Sequence, residues 1–102
     1  MKKSSETIIS KYFRPLTGIF GISGSSYGIQ MGKIGDKWTV IIKKGKEMLA
    51  YKPFDGNNIP NANYITRFII SNTLPGINPY QIMRTVQFIR QSIKIKEERV
   101  VP

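Results

Sequence analysis

The chain has no histidine and no cysteine, and only six of its 102 residues are Asp or Glu. Without histidine it lacks the commonest general base and metal ligand, the side chain that titrates nearest neutral pH. Without cysteine it can form no disulfide, no thiol nucleophile and no thiolate metal site, and the redox compartment is left open. Six carboxylates are little material for acid–base pairs or oxygen-ligated metals. Long apolar runs are absent too, none approaching the roughly 18 residues of a membrane-spanning helix. Lys2 and Lys3 are followed by Ser4, Ser5 and Glu6, with no continuous apolar region behind them, so no secretory signal is expected. The expectation is an intracellular, by default cytoplasmic, protein that needs no membrane, metal or cofactor and has no catalytic residues.

What the chain does have is positive charge. Sixteen Lys and Arg set against those six acids give a net charge of +10. An apolar share of 40% is enough for a folded core, which excludes a disordered polycation. At this length the chain makes one domain. The charge is uneven: residues 1–16 carry +3, residues 17–52 carry +4, residues 53–79 are neutral, and residues 80–102 carry +3. A surface for a polyanion would draw on the first half and the last helix, and spare the middle.

The expected fold is α+β: an N-terminal helix, a four-stranded antiparallel meander and two C-terminal helices packed on one sheet face. Ile8, Ile9, Tyr12 and Phe13 share a face at helical spacing over residues 4–13, and Arg14-Pro15 ends that helix because a residue before proline leaves the helical region. Residues 17–52 alternate as strands. Turns at Gly24-Ser25, Ile34-Gly35 and Lys43-Lys44-Gly45 agree on one apolar face of Phe20, Ile22, Tyr27, Ile29, Met31, Trp38, Val40, Ile42, Met48 and Ala50. A one-residue slip in any hairpin would break that agreement. The opposite face is smooth, with Gly21, Gly28, Gly32, Ile41, Leu49 and Tyr51, and with Lys33, Lys37 and Lys52 near its rim. Asn61 or Asn63 caps a helix running to about Ser71. Asn78-Pro79 opens the last one, with Ile82, Met83, Val86, Ile89 and Ile93 as its buried stripe. A charged tail begins at about Lys96, where fraying is expected.

Four features bear on function. From Ile65 to Ile93 an apolar helix, the turn Leu74-Pro75-Gly76-Ile77-Asn78-Pro79 and a second apolar-striped helix follow one another. This resembles the helix–turn–helix of DNA-binding proteins, although the turn holds a proline and is longer than the common form. The resemblance implies that Gln81, Arg84, Thr85 and Phe88 face base edges in a major groove; two helices packed side by side on a sheet give the same pattern. The smooth face is a second candidate. Tyr51 with Lys33, Lys37 and Lys52 suits nucleic acid, whereas Ile41, Leu49 and the glycines suit a subunit contact equally well. Lys43, Lys44 and Lys46 form the densest basic spot, on a hairpin tip that would lie along a phosphate backbone or stand as a solvated turn. The Gly18, Gly21, Gly24 series lacks the Gly-Lys-Ser/Thr ending of a phosphate loop.

Catalysis has poor material: Asp36 and Asp55 sit beside glycines in turns, and no spacing obliges Asp36 and Glu47 to share a Mg²⁺ ion for nuclease chemistry. The leading expectation is a non-catalytic binder of DNA or RNA, held by phosphate contacts from Lys33, Lys37, Lys43, Lys44, Lys46 and Lys52, then Arg84, Arg90 and Lys94. The alternative is a structural or adaptor subunit. It would assemble as a homo-oligomer or with an acidic protein through Ile41, Leu49, Tyr51 and Phe88.

Overall fold

In a computed structural model the described residues are 11–73 and 75–100, with side chains as far as Lys96. Five strands precede two helices: β1 (Phe13–Pro15), β2 (Phe20–Gly21), β3 (Tyr27–Ile34), β4 (Lys37–Lys44), β5 (Glu47–Phe54), α1 (Ala62–Ser71) and α2 (Pro79–Val100). All pairings are antiparallel. One edge of β3 holds β1 and β2 in succession, its other edge holds β4, and β5 closes the far side.

The chain therefore departs from the expected helix, four strands and two helices. Phe13 does not end a helix; it begins a strand, with Phe13 opposite Ile34 and Pro15 opposite Gly32. Two causes act together. Arg14 precedes a proline and favours extended backbone, and the Phe13 ring lies where a side chain on Gly32 would otherwise stand. Residues 4–10 of the expected helix lie outside the described residues. Both described helices come after the sheet, and α2 continues to Val100, past Lys96.

β3 and β4 keep their expected faces although their partners shift, and β5 keeps its expected face only in part. Phe20 opposes Ile29 as expected. In the β3–β4 hairpin Met31 meets Val40 and Ile29 meets Ile42, a shift of two residues from the expected pairs. An even shift leaves every side chain on its own face. The turn is Gly35-Asp36, and the next is Gly45-Lys46. Gly35 has φ 60° and Gly45 φ 61°, so each turn takes glycine first at positive φ, the arrangement of a type II′ hairpin. A β-bulge beyond Ile42 restores the apolar register of β5: Met48 opposes Lys43, whereas Ala50 opposes Ile42. Met48 thus leaves the expected apolar face, and Leu49 packs against the core instead of the smooth face.

The core joins Ile22, Ile29, Met31, Val40 and Ile42 of the sheet side to Ile65 and Ile69 of α1 and Ile82, Val86, Ile89 and Ile93 of α2. Each such buried side chain contributes about 1.5–3 kcal/mol. The helices start where their caps dictate. Asn61 Oδ1 accepts from the Asn63 amide at 2.8 Å, and Asn78 Oδ1 accepts from the Tyr80 amide at 2.9 Å. The two helices cover one side of the sheet and leave two flanks, one between α1 and β5, the other between α2 and β2.

Candidate nucleic-acid interface

Charge separates along the layers. From Lys11 to Lys96 there are thirteen Lys or Arg and three carboxylates, Asp36, Glu47 and Asp55. The carboxylates all sit at strand ends. Asp36 is in the β3–β4 turn, and Asp55 just beyond β5 meets Lys37 Nζ at 3.3 Å. Glu47 opposes Lys44 at the other end of the sheet. The helical segment from Ala62 to Lys96 carries Arg67, Arg84, Arg90, Lys94 and Lys96 and not one acid. The strand segment from Lys11 to Asn61 has the same net charge, but there the cations are interspersed with carboxylates, whereas none interrupts the run from Ala62 to Lys96.

The nine basic residues expected to bind do not form one patch. Lys43, Lys44 and Lys46 occupy the β4–β5 tip, with Lys44 Nζ 5.6 Å from the Tyr27 ring centre. At the opposite end Lys33 Nζ stands 4.7 Å over Trp38, and Lys94 lines a hollow with Trp38, Asn57 and Asn58. Lys37 is at this end, opposite Ile34. Lys33 opposes Trp38, and Lys52 opposes Val40. Both therefore emerge on the helix side of the sheet, not on the glycine-rich side. Arg84 lies on the α2 flank, 5.6 Å from the Phe88 ring. Arg90 serves the fold: its Nε donates to the Pro60 carbonyl at 2.9 Å.

The α1–β5 flank is a groove lined by Lys52, Phe54, Tyr64, Arg67, Phe68 and Ser71. Two cations share it, with no carboxylate among the described lining residues. In its wall the Phe54 and Phe68 rings meet edge to face at 6.4 Å, a favoured aromatic geometry. Lys52 Nζ lies 5.7 Å from the Phe54 ring centre. Tyr64 is 62% exposed. Tyr64 and Arg67 belong to the stretch the charge count marks as neutral, and neither was expected in a site. The available signal is spacing: Tyr64, Arg67 and Ser71 stand three and four residues apart, which aligns them on one helix face.

The α2–β2 flank differs. Phe20 and Phe88 line it along its length, joined by Arg84 at one end and Ile95 and Lys96 at the other. Phe88 is 50% exposed. Lys96 Nζ donates to the Leu16 carbonyl at 2.8 Å and ties the helix to the first strand's exit. Of the residues implied by the helix–turn–helix resemblance, Arg84 and Phe88 are exposed and Gln81 is half-buried. Thr85 is buried, its hydroxyl donating to the Gln81 carbonyl at 2.9 Å. The pair of helices is accounted for by packing on the sheet.

The expected partner surface fares unevenly. Ile41 is 1% exposed, Leu49 packs on the core, and Tyr51 is half-buried opposite Ile41. The glycines of that side are spoken for within the chain, since Ile19 lies against Gly28 and Phe13 against Gly32. Asp36 and Glu47 stand at opposite ends of β4, roughly 25 Å apart by strand rise, and cannot share one metal ion. Among the described residues no group of three or more acids, histidines or cysteines could hold a metal, and no helix is long and apolar enough to cross a membrane. No protein-family model, curated protein or solved structure matches this chain.

Proposed function

We propose that the protein is a non-catalytic nucleic-acid-binding protein that holds its partner through phosphate contacts and takes a single strand in preference to a duplex. The observation that carries this reading is the run of helix residues from Ala62 to Lys96, with five cations and no carboxylate before Glu97 and Glu98 near the end of α2, flanked by Lys52 across the α1–β5 groove. Each ammonium or guanidinium that meets a phosphate releases a condensed counterion, so affinity rises with the number of contacts and falls with salt. The preference for a single strand follows from layout. The cations stand in separate groups at the two sheet ends and on the two helix flanks. A stiff duplex meets one such group at a time, whereas a flexible strand bends from one to the next. Exposed rings stand on the helices beside cations, as Phe88 does beside Arg84, and unpaired bases stack on such rings.

The test is a salt series by fluorescence anisotropy, with labelled single strands and duplexes of equal length. Log affinity for the single strand should decline linearly with log salt, by about 0.7 per phosphate contacted. The duplex should bind more weakly at every salt concentration. Absence of single-strand binding at about 50 mM salt, where charge-driven association is strong, would overturn the reading. The competing reading, assembly through Ile41, Leu49, Tyr51 and Phe88, is weakened at Ile41, which is 1% exposed, and keeps Phe88, which is 50% exposed.

A further inference from the structure

Resting on the nucleic-acid reading, we propose that the α1–β5 groove is the subsite for one unpaired nucleotide, its base against Tyr64 and its phosphate between Lys52 and Arg67. Three observations converge. First, the lining combines two cations with three aromatic rings and Ser71, and holds no carboxylate among the described residues. That is the chemistry of a planar ligand bearing an anion, not of an apolar ligand or a metal ion. Second, the rings divide the work. Phe54 is buried and Phe68 half-buried, and their edge-to-face contact at 6.4 Å fixes the wall. Tyr64, 62% exposed, is the ring left with a face to offer, and a base stacked on it needs no particular sequence. Third, the cations come from two different elements, Lys52 from the edge strand β5 and Arg67 from α1. They approach the groove from both sides, and Arg67 is one helical turn from Tyr64, so that a phosphate attached to the stacked nucleotide falls within reach of the guanidinium.

The same geometry sets the discrimination. In a duplex the base faces are already stacked and paired, and reaching Tyr64 would require extruding a nucleotide at a cost in stacking and pairing. A single strand carries no such penalty. The groove is thus the element that separates the two forms, while the cations elsewhere attract both.

The experiment uses the full chain with labelled oligothymidylate of about twelve nucleotides, within the usual site size, and a duplex of the same length. Tyr64→Ala should weaken single-strand binding at least about fivefold, the range of losing one stacked base, and leave the duplex unchanged. Tyr64→Phe, which keeps the ring, should restore single-strand binding. Arg67→Gln should weaken both forms and lower the salt slope for the single strand by about 0.7. Because Tyr64 and Arg67 are exposed, thermal melting should be unaffected, and Tyr64→Phe controls for any effect of the hydroxyl. If wild-type protein binds the single strand and Tyr64→Ala binds it equally well, the subsite is overturned while the general reading stands. The subsite is also overturned if Tyr64→Ala weakens single strand and duplex alike. If wild-type protein binds neither, both proposals fall together.

Discussion

The two faces of the sheet are built by opposite means. On the helix side, side chains fill the space between layers: Ile29, Met31, Val40 and Ile42 meet the stripes of α1 and α2. Charge is thereby pushed to the rims and outer surfaces of the helices. On the other side, side chains are missing where the chain must come close. Gly28 and Gly32 accept Ile19 and Phe13 from the segments paired along the edge of β3. Glycine-rich smoothness in the sequence thus has an intramolecular use here, and it does not mark an open platform. The difference is one of use: on one side Gly28 and Gly32 make room for Ile19 and Phe13, and on the other the helices bring Lys52 and Arg67 to one groove.

The largest expected effect tests the closed face. A side chain at Gly32 would strike the Phe13 ring and the Arg14 backbone, whereas the space beside Gly21 is open. Gly32→Val should lower unfolding stability by about 1–3 kcal/mol, the cost of overpacking a filled site. Gly21→Ala should stay within about 0.5 kcal/mol, as for surface changes. Urea unfolding of the two variants measures both. A harmless Gly32→Val would mean that this face is free after all, and the contrast between the faces would collapse.

Next in size is charge reversal. Lys52→Glu with Arg67→Glu removes two cations from the helix side. Lys37→Glu with Lys43→Glu removes two from the glycine-rich side, where they oppose Ile34 and Gly28. The first pair should cost roughly tenfold in single-strand affinity at about 0.1 M salt and reduce the salt slope by about 1.4, two contacts' worth. The second pair, one cation from each sheet end, should cost less than the first. Net charge changes equally in both, so a generic charge effect gives equal losses, and equal losses would break the assignment of the helix side as the binding face.

The pattern of what the sequence reveals follows from the range of the forces involved. Which face each strand residue takes is local, because alternation at period two is written in the residues themselves. Ile22, Ile29, Met31, Val40 and Ile42 accordingly reach the core as expected. The hairpin partners depend on where glycine sits in each turn, and taking Gly35 and Gly45 first in their turns moves the pairs without changing their faces. The bulge that turns Leu49 inward, and the strand at Phe13–Pro15, depend on fit to a neighbouring strand and have no local signature. The α1–β5 groove is the same kind of case. Lys52 and Arg67 are fifteen positions apart, in segments that a charge count separates into basic and neutral. Only the return of α1 over the sheet brings them together, so a list of basic stretches finds Lys52 and passes over Arg67 and Tyr64.

The smallest expected effect separates the two flanks of the helix side. Phe88 is the most exposed ring of the α2–β2 groove, and the Arg84 guanidinium stands 5.6 Å from it. If this flank serves only to attract polyanions, Phe88→Asp should leave the elution volume in size-exclusion chromatography unchanged. It should move stability by no more than about 0.5 kcal/mol and lower single-strand affinity about twofold, by setting one negative charge among cations. That loss is smaller than the one expected for the α1–β5 pair, because the two cations of the α2 flank, Arg84 and Lys96, stand at its opposite ends and Lys96 already donates to the Leu16 carbonyl. If the wild-type chain instead elutes as a dimer and Phe88→Asp elutes as a monomer, the apolar line through Phe20, Phe88 and Ile95 is an interface between copies. The cations of α2 then border a protein contact, and strand binding must be carried by the α1–β5 groove and the sheet ends alone.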